Sequence, residues 1–164
     1  MDNHYDFIRG LRAIRDYEDR PISSADMEAI LEAARWTGSS KNLQNWAFVV
    51  IQDKEQLGRL AECGSFTAPV VAAAATIVIV EDVGGYEFDS GRVAQNIMLA
   101  AAAIGVASCP ITLHRQDAAA ELLGLTDGRT CHYAVTLGYP GAAAAPKIKG
   151  GRKPLADLVH WERY

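Results

Sequence analysis

Apolar residues recur at two different spacings along this chain, and the alternation between them lays out the elements. Residues 3–10 can form a short helix, Leu11–Tyr17 is basic and irregular, and Asp19-Arg20-Pro21 reads as a turn. Ser23 or Ser24 can then cap a helix whose Met27, Ile30, Leu31 and Ala34 share one face, ending by Gly38. Trp46–Ile51 is aromatic and β-branched, which predicts a strand, and Asp53 can cap a helix carrying Leu57, Leu60 and Ala61.

Thr76–Val80, TIVIV, leaves no polar face, so it belongs in the centre of a sheet. Arg92–Ile104 is rich in helix formers and apolar all round, predicting a helix buried by the sheet on one side and by another chain on the other. Gly105 should end it. Val106–Ile111 then reads as a strand, Asp117–Leu123 as a helix and His132–Thr136 as a further strand before the turn Gly138-Tyr139-Pro140-Gly141. Ala142–Lys153 is a Gly, Ala, Pro and Lys-rich connection, and the closing PLADLVHWERY carries enough apolar side chains to dock on a surface, its own or a partner's. The class is α+β or three-layer α/β/α, in a single domain spanning 1–164.

Composition narrows the field of functions. With 49% hydrophobic and 22% charged residues over 164 positions, the chain has the make-up of a folded globular protein. A net charge of -4 supplies no global positive field for nucleic acid, and the basic tail has no interleaved stacking aromatics, so any anion site must be local. The N-terminal residues lack the apolar core of a secretory signal, and Ala68–Val80 is too short to span a bilayer, which predicts a cytoplasmic protein. Cys63, Cys109 and Cys131 form no C-x-x-C pair and read as buried thiols. Neither the cysteines nor the four histidines have spacing that suggests a metal site.

Three patches could carry chemistry: Arg12 with Arg15, the polar loop Ser39–Trp46, and the cluster Lys147, Lys149, Arg152, Lys153. Singly, each also fits ordinary solvated surface. A thiol catalytic pair is a further alternative, with Cys109 activated as a nucleophile by His114 or His132.

The order of the patches is more specific. R-x-x-R-D-Y from Arg12, SSKNLQNW from Ser39, DSGRVAQNIMLAAAAIGVASCPI from Asp89, GYP from Gly138 and GRKPLADLVHWERY from Gly151 together resemble the nitroreductase family of FMN proteins, from about Phe7 to Tyr164. That resemblance implies a three-layer α/β/α sandwich with a mainly antiparallel central sheet, an intertwined homodimer, and FMN sites between subunits. Arg12 would bind the FMN phosphate, since a guanidinium matches its oxygens bidentately, and Arg15 would be a cation near flavin N1, favouring the anionic reduced ring. Ser39, Ser40, Asn42 and Gln44 would reach the ribityl chain and ring from the partner. Thr112 and Leu113 would face flavin N5 through their main chain, and Arg152 with Lys153 would complete the phosphate pocket.

The activity implied is electron transfer from NAD(P)H to a small electron-poor acceptor of nitroaromatic or quinone type, in ping-pong order, with no side-chain acid or base required for the first half. The alternatives are a non-catalytic flavin- or small-ligand-binding protein of the same fold, or a related reduction such as dehalogenation or ene reduction. Three departures stand out. Leu11-Arg12-Ala13 replaces the usual R-R-S, Asn45 stands where a proline often precedes the tryptophan, and Cys63–Asp89 is short beside members with lid-like helices there.

Overall fold

The computed structural model describes residues 3–144 and 151–164. A helix α1 (Asn3–Gly10) leads through the basic segment to α2 (Ser24–Arg35). Then come β1 (Trp46–Ile51), α3 (Lys54–Ala61), α4 (Ala68–Ala72), β2 (Ala75–Glu81), α5 (Glu87–Ala103), β3 (Ala107–Thr112), α6 (Gln116–Leu123) and β4 (Thr130–Gly138). Single-turn 3-10 helices occur at Ser40–Asn42 and Leu155–Asp157.

The expected signals act where they were read. Ser23 Oγ accepts from the Asp26 N–H and Asp53 from the Gln56 N–H, so each satisfies a donor its helix would leave free. Gly105, at φ +78, closes the long helix in a conformation other residues resist. Two boundaries differ. The long helix begins at Glu87, five residues before the expected Arg92, because Glu87 and Asp89 in its first turn favour the positive end of the helix dipole. The apolar stretch from Ala68 breaks into α4 before the strand, with Pro69 in the first turn of the helix, where its missing N–H costs nothing.

The four strands form one sheet in the order β1-β2-β4-β3, with every neighbouring pair antiparallel. Each position of β2 is buried, as expected of a strand with no polar face. Alternate side chains feed two cores. Ala75, Ile77 and Ile79 join α2 and α5 on one face, while Val78 faces Leu57, Leu60 and Ala119 of α3 and α6 on the other. The result is three layers, with α5 buried along Val93, Ile97 and Ala101.

Before the sheet, the basic segment runs along the open edge of β3. The Ile14 N–H donates to the Ser108 carbonyl at 2.9 Å, and Tyr17 pairs with Pro140 beyond β4. The Tyr17 ring rests on Gly138, where a Cβ would fall 2.6 Å from the ring. Gly138→Ala should therefore destabilise the fold by about 1–3 kcal/mol, the usual range for overpacking. Urea unfolding at fixed protein concentration checks it; a change under about 0.5 kcal/mol, typical of a surface substitution, would mean the ring moves aside freely.

Candidate functional site

Two of the patches picked out in the sequence lie at opposite edges of the sheet. The first is built on β3. In an antiparallel pair the bonded positions alternate, and the Leu113 N–H donates to the His132 carbonyl at 2.8 Å. Thr112, opposite Tyr133, is then a non-bonded position whose N–H and carbonyl point off the sheet edge. Pro110 occupies the same outward phase, where an edge strand needs no donor. The main-chain donor expected of Thr112 is thus open to a ligand. Leu113 differs from expectation, because its amide is committed to β4 and its side chain is fully buried.

Arg12 and Arg15 are held beside this edge. Arg12 donates from Nη1 to the carbonyls of Arg9 and Leu11, both at 2.7 Å, while its Nε is buried with no partner. Such a donor is costly to leave unmet, and an anionic oxygen would meet it. A cleft of about 400 Å³ opens here, lined by Phe7, Leu11, Arg12, Ile14 and Ser108. A larger one, about 600 Å³, lies between α2 and β1, but it holds none of the expected ligand residues. Its one cation, Arg35, is already paired with Glu32 at 2.6 and 2.8 Å. Leu11 and Ala13, where the resemblance would put a cation and a hydroxyl, are packed against the two cores. Apolar side chains at those places anchor the segment that carries Arg12 and Arg15.

A buried contact chain sets that segment's height on the sheet. The Tyr17 hydroxyl lies 2.8 Å from the Ile14 carbonyl and 2.7 Å from Thr136 Oγ1, which in turn reaches the Cys109 carbonyl at 3.1 Å. Burial pushes the Tyr17 phenol well above its ordinary range, so it stays a neutral donor. This network went unread in the sequence, since nothing about an isolated Tyr17 or Thr136 announces a contact across 119 residues.

The second patch is the loop before β1. Asn96 Nδ2 donates to Thr37 and Arg92 to the Gly38 carbonyl, fixing the entry to α5, while the Asn45 carbonyl accepts from the Asp82 N–H at the exit. Between these anchors Lys41, Asn42 and Gln44 all have positive φ, at 51°, 56° and 52°. Non-glycine residues there cost on the order of 1–3 kcal/mol each, and such strain clusters at binding sites. Ser39 Oγ braces the loop by accepting from the Gln44 N–H at 2.9 Å, leaving Ser40, Asn42 and Gln44 exposed.

The third patch belongs to the C-terminal segment. Lys147 and Lys149 fall outside the described residues. Arg152 and Lys153 are exposed, in a terminal segment, 151–164, whose every residue is exposed, Leu155, Leu158 and Trp161 included.

The thiol alternative finds no support in the geometry. Cys109 is 1% exposed, its Sγ lies 3.5 Å from the Pro110 carbonyl, and burial raises its pKa, with the Arg15 charge partly offsetting the rise. His114 accepts from the Ser65 N–H, and His132 is paired with Glu87 at 3.0 Å.

A three-layer α+β sandwich with a ligand-ready edge strand and a strained polar loop is the class of protein these observations define. Comparison with known proteins is more specific. The profile of the nitroreductase family matches residues 8–82 and 66–139. A protein of Archaeoglobus fulgidus, provisionally named an NADH dehydrogenase/NAD(P)H nitroreductase, is 36% identical over 151 residues, covering 85% of this chain and 87% of its own. Nitroreductase A of Vibrio parahaemolyticus superposes with a TM-score of 0.90 at 29% identity, over 100% of this chain and 78% of its own. The NADPH:FMN oxidoreductase of Vibrio harveyi, solved with NAD+, gives 0.89 at 27% identity over 99% and 78%. The chain belongs to the nitroreductase family.

Burial lifts all three thiols, Cys131 to about 11, so at pH 8 the reactive thiolate is scarce in the folded state. A disulfide reagent such as DTNB should titrate no thiol of the native protein at pH 8 and all three in denaturant; rapid native labelling of Cys109 would reopen the thiol reading.

Proposed function

We propose that this protein is an FMN-dependent oxidoreductase, working as a homodimer, that passes electrons from NAD(P)H to a small electron-poor acceptor of nitroaromatic or quinone type. The observation that carries this reading is the division of one expected ligand shell between opposite sheet edges. Three strand spacings, about 14 Å, separate β1 from β3. Arg12 also lies at the end of the sheet marked by Ser108 and Leu137, whereas the loop lies at the end where Trp46 meets Glu81. The two patches of one chain cannot close on one small molecule. A second copy, bringing its loop 39–45 to the first copy's β3 edge, supplies the missing half, and the exposed apolar tail 151–164 suits docking on that copy.

The residues present fit FMN. The unpartnered Arg12 Nε and its guanidinium suit the phosphate, with Arg152 and Lys153 adding charge from the tail. Arg15 would set a positive charge beside the ring, which gains a negative one on reduction. The Thr112 N–H, directed off the β3 edge, would donate to flavin N5, while Ser39, Ser40, Asn42 and Gln44 of the second copy would offer hydroxyls and amides to the ribityl chain and ring. When bound, FMN supplies the redox chemistry, taking up hydride at N5. The protein positions and excludes, and no side-chain acid or base is needed for hydride delivery. One face serves reductant and acceptor in turn, which makes the kinetics ping-pong. The names of the relatives, which include NAD(P)H nitroreductase and NADPH:FMN oxidoreductase, support the same reading.

Purified protein should bind added FMN, and the flavin absorbance should bleach under anaerobic NADH or NADPH. Bound flavin that stays oxidised would favour a non-catalytic flavin-binding protein, and absence of binding would overturn the cofactor. Arg12→Ala should mainly weaken FMN affinity. Arg15→Ala should weaken retention and lower the two-electron potential by on the order of 30 mV, equivalent to about 1.4 kcal/mol. Potentiometry on the FMN-loaded variants checks the assignment, and unchanged affinity and potential in both would remove it.

A further inference from the structure

We infer that Phe66, backed by His114, forms the acceptor-side wall of the proposed site and selects planar aromatic acceptors; the inference rests on the FMN reading above. Phe66 is 84% exposed, yet the short loop that carries it is tightly held. Arg115 reaches back to the carbonyls of Glu62 and Gly64, its N–H donates to the Cys63 carbonyl, and Thr67 Oγ1 donates to the Ala61 carbonyl at 2.6 Å. The Ser65 N–H donates to His114 Nδ1 at 3.2 Å, and the His114 ring meets Phe66 edge to face at 6.4 Å. These bonds fix the backbone of the loop, and the His114 edge backs the exposed Phe66 ring, so the ring has a set position with its outer face open to an aromatic partner.

Its position supplies the ligand. A Cβ on Gly64 would fall 2.9 Å from the Thr112 carbonyl, which points off the β3 edge together with the Thr112 N–H. Gly64 therefore seats the Phe66 loop directly beside the donor that faces the N5 side. Between Cys63 and the start of α5 at Glu87 the structure has only the five-residue α4 and the buried β2, so no long helix of that segment covers this face, and the Phe66 loop stands there instead. A planar aromatic acceptor can stack on or meet the edge of the Phe66 ring as it approaches the flavin. Because His114 Nδ1 accepts from Ser65, the neutral ring carries its proton on Nε2, a donor for an oxygen substituent on such an acceptor.

Salicylate, a planar aromatic that is not reduced, serves as the probe, with acetate as control, titrated calorimetrically into the oxidised FMN-loaded protein. Phe66→Ala should weaken salicylate binding about tenfold with no matching change for acetate, and Phe66→Trp should restore it. In turnover, the ratio of kcat/KM for menadione to that for ferricyanide should fall about tenfold in Phe66→Ala. Unchanged salicylate affinity would overturn the inference. Loss of dimer or of FMN by Phe66→Ala would do the same, since it would make Phe66 an interface residue. Salicylate binding needs no reductant, so a flavin that NAD(P)H fails to reduce would sink the proposed activity while this result stays readable.

Discussion

The pairing of β2 with β4 is the constraint on which the rest of the molecule hangs. Both strands are inner members of the sheet, β2 is buried at every position, and their backbone groups have no water to fall back on. Register is therefore fixed, since a one-residue slip would exchange the side chains that fill the two cores. A single irregularity near Ile79–Glu81 shifts the pairing, and beyond it Cys131 turns toward the α3–α6 side. With the centre locked on both faces, the variable chemistry is left to the two edges.

Those edges are treated differently. The β3 edge is half closed by the segment Leu11–Tyr17, which contributes one backbone bond at Ile14 and is clamped by Tyr17, Thr136 and Gly138. It stops short of Thr112, where the edge stays open beside the Phe66 loop. At the other edge the strained loop before β1 is tied at both ends to α5 and to the turn after β2. Each half of the proposed site thus rests on rigid structure, which is what a cofactor held without covalent linkage requires. Apolar side chains are exposed on α1, at Trp36 and along the tail, and the proposed second copy would cover such surfaces together with both half-sites.

Much of this was legible along the chain, because the signals are local. Capping by Ser23 and Asp53, the end of the long helix at Gly105, the fully buried strand and the polar loop each depend on residues a few positions apart. The motif order also pointed to the family before any coordinates. Three things were decided only in three dimensions. Antiparallel order placed Arg12 and Asn42 at opposite edges, which no spacing along the sequence encodes. The bonding phase of β3 opened the Thr112 N–H and spent that of Leu113, a distinction set by the partner strand. Phe66 gained its meaning from Gly64 packing on a carbonyl 48 residues further along the chain. Local propensity fixes which elements form, but edge, phase and proximity come from long-range pairing, whose closure entropy and packing are properties of the whole fold.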